Sequence, residues 1–271
     1  MYFTSKTRRR LAVKHQRKEC FILKNNWKYV VSAAVWLLLW QIAAGILNLK
    51  LFLPTPINVC RSLFTELIVS DSFWRSIVFS LAHIMCGFIC GSLSGIILAA
   101  LSYSCRWVEI FLWPPIKVIQ TTPMASFVIL VLLWLPASKL SVIISFLMVL
   151  PTMYTHTLTG LKATDVKLLE MADVFRVSRL RRLIYIYIPK LLPYALSAAS
   201  LAIGFAWKSG IAAEIIGLVR NSIGNQLYQA KIYFMTSELF AWTLVIIILS
   251  TVCEKLIKLL ADMLNPEKEG A

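Results

Sequence analysis

Residues 168–193 read LLEMADVFRVSRLRRLIYIYIPKLLP and form the only long charged passage in the second half of an otherwise apolar chain. Long apolar runs precede and follow this passage. Over the whole chain, 59% of the residues are hydrophobic, only 15% are charged, and the mean hydropathy is +0.74. This composition leaves too little polar surface for a soluble domain, so we predict a membrane protein.

The apolar runs predict an all-α, polytopic fold with six transmembrane helices, because a span needs roughly 20 apolar residues to cross a ~30 Å hydrocarbon layer. The six segments are residues 29–49, 76–101, 108–135, 140–161, 189–213 and 239–260. The third contains Pro114, Pro115, Lys117 and Pro123. Membrane helices tolerate proline where neighbours satisfy the freed carbonyls, so we expect this segment to be bent and buried.

The distribution of lysine and arginine predicts the orientation, because these residues are retained on the cytoplasmic side of a membrane. They are dense in residues 1–28 and in the loop 162–188, and sparse in residues 50–75, 136–139 and 214–236. We therefore predict a basic cytoplasmic tail (1–28), a transmembrane domain (29–264) with a cytoplasmic loop (162–188), and a cytoplasmic tail (265–271). Both termini are expected inside, in the cytoplasmic (inner) membrane.

The basic tail has other interpretations, namely binding to nucleic acid or to anionic lipid. We favour a topology anchor and predict no nucleic-acid partner. The apolar run that follows the tail is about 21 residues long, which exceeds the ~7–15 residues of a cleaved signal sequence. We expect it to remain as the first helix.

Motifs for catalysis or metal binding are not found in this sequence. It contains no P-loop, H-E-x-x-H or G-x-S-x-G motif, and its three histidines are far apart. The six cysteines form no C-x-x-C pair, and we interpret Cys86 and Cys90 as small buried thiols. We predict a chain that is not an enzyme and holds no metal or cofactor.

Glycine recurs every four residues in the second predicted helix, at Gly87, Gly91 and Gly95. One face of this helix therefore lacks side chains and permits the close approach of another helix. Packing within one subunit is the favoured interpretation, and a seam between two copies is the alternative.

The charged loop contains a predicted amphipathic helix, bounded by the Ile188-Pro189 step. Its apolar residues share one face and its acidic residues surround that face: Leu168, Leu169, Ala172 and Phe175, with Asp165, Glu170 and Asp173. An apolar face in the cytoplasm should be covered by lipid headgroups or by a partner protein, and composition does not distinguish the two.

Several motifs resemble those of the permease subunits of binding-protein-dependent ABC importers, in the nitrate, sulfonate and taurine group. The family pattern E-A-A-x3-G-x9-I-x-L-P aligns with the segment from Glu170 to Pro189 with its spacing kept, but Arg176 replaces the glycine and Met171 an alanine. Further similarities are LPTPINV after the first helix, IQTTPMA in the third, and KLLPYALSAASLAIGFAWKSGIAAEIIG in the fifth. The resemblance covers about residues 51–255.

The resemblance implies a coupling loop that docks on a cytoplasmic ATPase subunit. Its coupling residues would be Glu170, Met171, Ala172, Asp173, Phe175 and Arg176. Glu170 would meet polar or basic groups of the ATPase, and the apolar face would fill a groove on it. Three arginines of the loop would contact either this partner or lipid headgroups: Arg179, Arg181 and Arg182. Because glycine at position 176 favours a sharp turn, arginine there should adopt a strained conformation or a rounder turn.

The resemblance also implies a homodimer of this chain, two ATPase subunits that bind ATP and Mg²⁺, and an extracytoplasmic substrate-binding protein. An ion-coupled secondary transporter and a non-transporting scaffold are the alternatives; the former should show inverted repeats, and we find no internal repeat. The sequence does not identify the solute, and a small anion is the hypothesis.

Ionisable residues inside the membrane segments are candidates for the transport path, since charge near the bilayer centre is costly. The predicted path residues are Lys208, Trp207, Glu214 and Pro123. An alternative is that Lys208 pairs with an acidic residue such as Glu214 on a neighbouring helix. Lys117 is a weaker candidate, because it can extend its amine from a bent helix to the interface.

Overall fold

The computed structural model describes residues 27–28, 31–46 and 52–264. Over these residues the chain forms helices, turns and bends and no β-strand, which confirms the predicted all-α fold. The helices are α1 Val31–Ile46, α2 Pro56–Ser62, α3 Asp71–Ser104, α4 Arg106–Thr121, α5 Met124–Trp134, α6 Leu140–Lys162, α7 Val166–Val174, α8 Arg179–Arg182, α9 Ile188–Gly217, α10 Ile223–Ile232 and α11 Thr236–Leu264. Nearly all of the predicted basic tail, and the whole of the predicted tail 265–271, lie outside the described residues.

Three helical segments of the described chain are long and apolar enough to cross a membrane: Asp71–Ser104, Ala137–Lys162 and Leu180–Gly217. The pair α4 and α5 makes a fourth if it is counted as one broken span. The first predicted span corresponds to the shorter α1, and the last falls within the 29-residue α11. A polytopic membrane protein is therefore confirmed, whereas the count of six spans stays a prediction.

The third predicted span is bent by 107° between α4 and α5. Thr122, just before Pro123, has the extended φ of −77° and ψ of 134° that a following proline favours, and this ends α4. Pro114 and Pro115 lie inside α4 without ending it. The predicted bend is confirmed. The predicted burial is wrong for the single chain, because only Ile116 is buried in α4, and only Val128 and Val131 in α5.

A hydrophobic core joins α3, α6, α9 and α11. Ile84 and Phe88 of α3 pack in one buried cluster with Val149 and Met153 of α6. The same cluster continues through small residues of α9 and large residues of α11, namely Ala198, Ala202, Ala206, Trp242 and Val245. Burial of these apolar side chains stabilises the bundle. It also places α9 between α3 and α6 on one side and α11 on the other.

The glycine face of α3 packs directly on α6. A Cβ atom added at Gly91 would lie 2.9 Å from the carbonyl oxygen of Phe146, and one at Gly95 would lie 2.7 Å from the Cβ of Met153. At Gly87 it would lie 2.8 Å from the Cβ of Ser145 and closer still to a backbone carbonyl. The interpretation of packing within one subunit is confirmed.

Two segments predicted as loops contain helix. Residues 50–75 include α2, which begins with proline at its first turn and continues as a π-helical turn, Leu63–Leu67. Residues 214–236 include α10, which begins after Ser222. Cys86 and Cys90, interpreted as buried thiols, are exposed on α3, so that interpretation is wrong for the single chain.

We expect Gly87→Ala to destabilise the protein by about 1 to 3 kcal/mol, because the new methyl group must displace the α6 backbone rather than a flexible side chain. The matched control is Gly204→Ala in α9, where an added Cβ meets nothing within 4 Å. Thermal unfolding of the purified chain in detergent measures both variants. Equal melting temperatures for the two would contradict the close packing of α3 on α6.

Candidate functional site

The charged loop is built around α7. Asp165 precedes this helix with extended backbone, and its Oδ1 accepts a hydrogen bond of 2.9 Å from the N–H of Lys167. A side chain of this type satisfies a free donor in the first turn of a helix and so defines where the helix begins. The amphipathic helix predicted in the loop is therefore present, from Val166 to Val174.

The end of α7 is a tight turn centred on Arg176. The N–H of Val177 donates to the carbonyl of Ala172 over 2.9 Å, and the N–H of Arg176 donates to the carbonyl of Asp173 over 3.0 Å. These two bonds define a Schellman motif, whose central residue adopts the left-handed conformation. Arg176 has a φ of 48°, a conformation that costs a non-glycine residue roughly 1 to 2 kcal/mol. Of the two conformations expected for Arg176, the strained one is observed.

Arg182 holds this turn closed from the other side. Its Nε donates to the carbonyl of Val177 over 2.9 Å, and its Nη2 donates to the carbonyl of Ala172 over 3.1 Å. Its guanidinium also forms an ion pair with the carboxylate of Asp173. The side chain of Arg182 is 24% exposed, and its guanidinium is bonded within the loop; contact of the loop arginines with lipid headgroups stays a prediction.

The exposed face of α7 differs from the predicted one. Ala172 is 2% exposed and lies under the Arg182 clamp, where it cannot contact another protein. Leu168 and Phe175 of the predicted face are exposed, together with Met171 and Val174. We call these four residues the α7 stripe. Val174 and Phe175 are 79% and 74% exposed. Glu170, also exposed, lies on the same short helix.

The loop is continuous with α9. A π-helical turn, Leu183–Tyr187, joins α8 to α9, and Pro189 occupies the first turn of α9, where a proline needs no N–H. The ring of Tyr187 packs edge-on against that of Tyr103 at the end of α3, with centroids 5.7 Å apart. The charged loop is therefore joined to the long helix α9 without a break in helical structure.

At the far end of α9, Glu214 is completely buried at the centre of a polar cluster. Its Oε1 accepts a hydrogen bond of 2.9 Å from Ser141, and its Oε2 accepts bonds of 2.8 Å from Ser80 and 3.1 Å from the N–H of Gly224. The hydroxyl oxygen of Ser80 in turn accepts from the N–H of Ile223 over 2.9 Å. One carboxyl group thus joins α3, α6, α9 and the start of α10.

Such a cluster is stable because buried polar groups must be hydrogen-bonded to offset the loss of water. Gly224 has no side chain, which lets its N–H approach the carboxyl of Glu214; an added Cβ would lie 2.7 Å from the backbone nitrogen of Ile215. Sequence reasoning singled out Glu214 but missed its serine partners. Ser80 and Ser141 are among several serines of their two spans, so the sequence carries no signal that singles them out as partners of Glu214.

Lys208 is exposed and lines a cavity of about 400 Å³ between α9 and α11. Trp207, Ile211 and Ile246 line the same cavity. Because Glu214 is enclosed by serine hydroxyls and backbone N–H groups, the alternative in which it pairs with Lys208 is wrong.

The four predicted path residues do not gather into one site within the single chain. Lys208 and Trp207 meet at the α9–α11 cavity, Glu214 lies in the polar cluster, and Pro123 lies at the bend between α4 and α5. Their role in a path stays a prediction.

The all-helical bundle and its loop are those of a membrane transport protein, and comparison with known proteins gives the family. Residues 91–269, more than half of the chain, match the family described as the binding-protein-dependent transport system inner membrane component. The chain belongs to this family and is a permease subunit of an ABC importer, a multi-pass protein of the inner membrane. Permease subunits of this kind are not themselves enzymes.

Three curated relatives illustrate the similarity. A Bacillus subtilis permease named for aliphatic sulfonates, SsuC, is 25% identical over 86% of this chain and 84% of its own length. The nitrate import permease NrtB of Synechococcus elongatus is 26% identical over 78% of this chain and 77% of its own. The taurine transport system permease TauC of Escherichia coli is 26% identical over 87% and 86%.

Solved structures share the fold. A membrane chain from a bacterial alginate ABC transporter, crystallised with an alginate-bound periplasmic protein, superposes with a TM-score of 0.58 over 95% of this chain and 98% of its own, at 14% identity. A chain of an amino acid ABC transporter crystallised with histidines gives a TM-score of 0.54 over 72% and 94%, at 20% identity. The predicted fold class is confirmed by these likenesses.

The strained turn can be tested with two substitutions at one position. Arg176→Gly should keep or increase the protection of the Val177 amide from hydrogen exchange, because glycine adopts positive φ freely. Arg176→Val should speed that exchange by about tenfold, since a β-branched residue at positive φ opposes the turn. Hydrogen–deuterium exchange of loop peptides measures both, and equal protection in the two variants would contradict the observed geometry.

Proposed function

We propose that this permease forms half of the transport path for a small organic or inorganic anion of the sulfonate, taurine or nitrate type. The printed functions of three relatives support this class of solute. Lys208 on α9 supports it independently, because a cation in a low-dielectric path lowers the electrostatic cost of moving an anion. An extracytoplasmic binding protein would deliver the solute, as the family's name implies.

ATP hydrolysis belongs, in this proposal, to a separate ATPase subunit that binds ATP and Mg²⁺. Two copies of the chain would form a homodimer with two such subunits. The loop 162–188 and both termini would lie in the cytoplasm, which divides the chain into a tail (1–28), a transmembrane domain (29–264) and a second tail (265–271). ATP binding would open the path outward, and hydrolysis would reset it.

The observation that carries the proposed docking of an ATPase is the α7 stripe beside a closed turn. An unpartnered apolar stripe on a helix that is held rigid at both ends is suited to docking in a groove, the helix-in-groove mode of recognition. Glu170 carries an exposed negative charge beside the stripe, which favours a groove with a basic or polar edge, whereas the charge of Asp173 is paired with Arg182. Of the coupling residues proposed here, Met171 and Phe175 contact the ATPase, whereas Ala172 and Arg176 shape the turn that presents them.

The transmission route follows from the contacts of the described residues. A movement of the ATPase against the α7 stripe would displace α7. Arg182 would move with α7, because it is bonded to the carbonyls of Ala172 and Val177 and to the carboxylate of Asp173. The movement then passes through α8 and the π-helical turn into α9, which is continuous as far as Gly217. At its outer end α9 holds α10 through Glu214. A movement of the loop would thus reach the opposite face of the membrane along one helix.

Glu170→Lys should weaken ATPase binding by about tenfold or more, because losing a charge-assisted contact costs about 1.5 to 3 kcal/mol and the reversed charge adds repulsion. Uptake should fall with it. The matched control is Glu254→Lys in α11, which removes an i,i+4 pair with Lys258 outside the loop. Co-purification of the ATPase with each variant measures binding, and full retention by Glu170→Lys would overturn the docking role of this residue.

Lys208→Met should reduce maximal anion uptake by about tenfold, equivalent to about 1.4 kcal/mol at the barrier. Melting temperature and ATPase binding should not change, since Lys208 is exposed and lies far along α9 from the loop. Lys231→Met, an exposed lysine of α10, is the control. Uptake assays in proteoliposomes compare the two, and undiminished uptake by Lys208→Met would remove this residue from the path.

A further inference from the structure

A second cavity lies at the opposite end of the bundle from Glu214. It encloses about 700 Å³ between the end of α3, the start of α4 and the end of α6, and its lining residues are Ser102, Tyr103, Arg106, Glu109, Ile110, Trp113 and Lys162. Neither the coupling loop nor the proposed path accounts for it. On the orientation proposed above, it opens at the boundary between the cytoplasm and the inner leaflet.

The polar end of this cavity carries a net positive charge. Lys162 and Glu109 neutralise each other in an ion pair of 2.5 Å between Nζ and Oε1. Arg106 is exposed and forms no ion pair with the described residues, so one positive charge is left over. A guanidinium presents several donors in a plane that matches the oxygens of a phosphate or sulfonate group.

Ser102 adds a buried donor to the same end. It is 1% exposed, and its oxygen accepts a hydrogen bond of 3.0 Å from the hydroxyl of Tyr154. The proton of Ser102 itself is donated to no acceptor in the part of the chain that the structure describes, so it can serve an oxygen atom of a ligand in the cavity. A buried hydroxyl next to an unpaired guanidinium is an arrangement that recognises an anion.

The other end of the cavity is apolar. Ile110 and Trp113 follow Arg106 at spacings of one and two helical turns, so all three lie on one face of α4. Arg106 and Trp113 are about 10 Å apart along the helix axis, at 1.5 Å per residue. Both apolar side chains are more than half exposed. Polarity therefore changes along the cavity in the same direction as it does along a phospholipid, from headgroup to acyl chain.

We propose that this cavity binds the headgroup of an anionic phospholipid, with a phosphate oxygen on Arg106 and Ser102 and the glycerol and first acyl carbons along Ile110 and Trp113. Basic pockets between transmembrane helices on the cytoplasmic side bind anionic headgroups in this way. Tryptophan at this depth is also typical of a membrane interface. A free cytoplasmic anion shares the headgroup chemistry, but it would leave the two apolar side chains uncovered.

The binding site adjoins the coupling loop. Lys162 ends α6 immediately before the loop, and Tyr103 packs on Tyr187 in the π-helical turn that leads into α9. A lipid seated on these residues would brace the end of the loop against α3 and α4.

Native mass spectrometry of the full-length chain in mild detergent tests the proposal, with phosphatidylglycerol and phosphatidylcholine of equal acyl chains as probes. The wild-type chain should retain phosphatidylglycerol in preference to phosphatidylcholine. Arg106→Gln should weaken phosphatidylglycerol binding by about fivefold. The matched control is Lys255→Gln, an exposed lysine of α11, which should bind as the wild type does.

Two further measurements distinguish a lipid headgroup from a free anion. They also provide a test that does not depend on the Arg106 variant alone. Trp113→Gln should weaken phosphatidylglycerol binding while melting at the wild-type temperature. Sodium sulfate should displace the lipid no better than sodium chloride of equal ionic strength. Equal lipid binding by Arg106→Gln and Lys255→Gln, unchanged binding by Trp113→Gln, or specific displacement by sulfate would each overturn the lipid assignment.

Discussion

The arrangement of the coupling loop depends on the contacts of one side chain, Arg182. Its guanidinium binds two carbonyls of the turn that ends α7 and pairs with the carboxylate of Asp173. Without these contacts, α7 would keep its Asp165 cap and the backbone hydrogen bonds of its last turn, but the side-chain link between that turn and α8 would be lost. With these contacts, α7 and α8 are held together, and the helical structure then continues from α8 into α9. The strain at Arg176 persists because the surrounding bonds determine the turn.

The two ends of α9 are then held by polar contacts of different kinds. At the loop end, exposed and half-buried charges bind the backbone of a turn, where solvent weakens each interaction. At the other end, the carboxyl of Glu214 is sealed among hydroxyls and N–H groups of three other helices. Low dielectric strengthens the buried contacts, so the end of α9 that carries Glu214 is the firmer anchor. Between them, the close packing of α3 on α6 gives α9 a rigid surface to move against.

The fold class, the bend at Pro123, the glycine face and the amphipathic loop helix could be predicted from the sequence, because each follows from a local pattern or from composition. The face of α7 that is buried could not. Leu168, Ala172 and Phe175 share a side by helical periodicity, yet Ala172 is buried, its carbonyl is bonded by Arg182 from ten residues later, and Met171 and Val174 are exposed. Long-range contacts of this kind leave no signal in a single sequence.

The same limit applies to Glu214 and Lys208. Periodicity excluded a pair within one helix, but only the packing of α3, α6 and α10 around Glu214 shows that two serines and the N–H of Gly224 bond both of its carboxyl oxygens. The burial of α4 and α5 was predicted from their prolines and is not found in the single chain. Their exposed apolar faces are the surfaces that lipid or the second copy proposed above would cover.

If the loop and α9 move as one unit, breaking the link between them should lower the ratio of solute imported to ATP hydrolysed in the reconstituted transporter. Arg182→Gln removes the clamp but leaves the α7 stripe intact, so the ATPase should still bind. ATP hydrolysis should continue while uptake per ATP falls by about tenfold or more, as expected for the loss of charge-assisted bonds of about 1.5 to 3 kcal/mol. An unchanged ratio of uptake to hydrolysis in this variant would contradict this coupled movement.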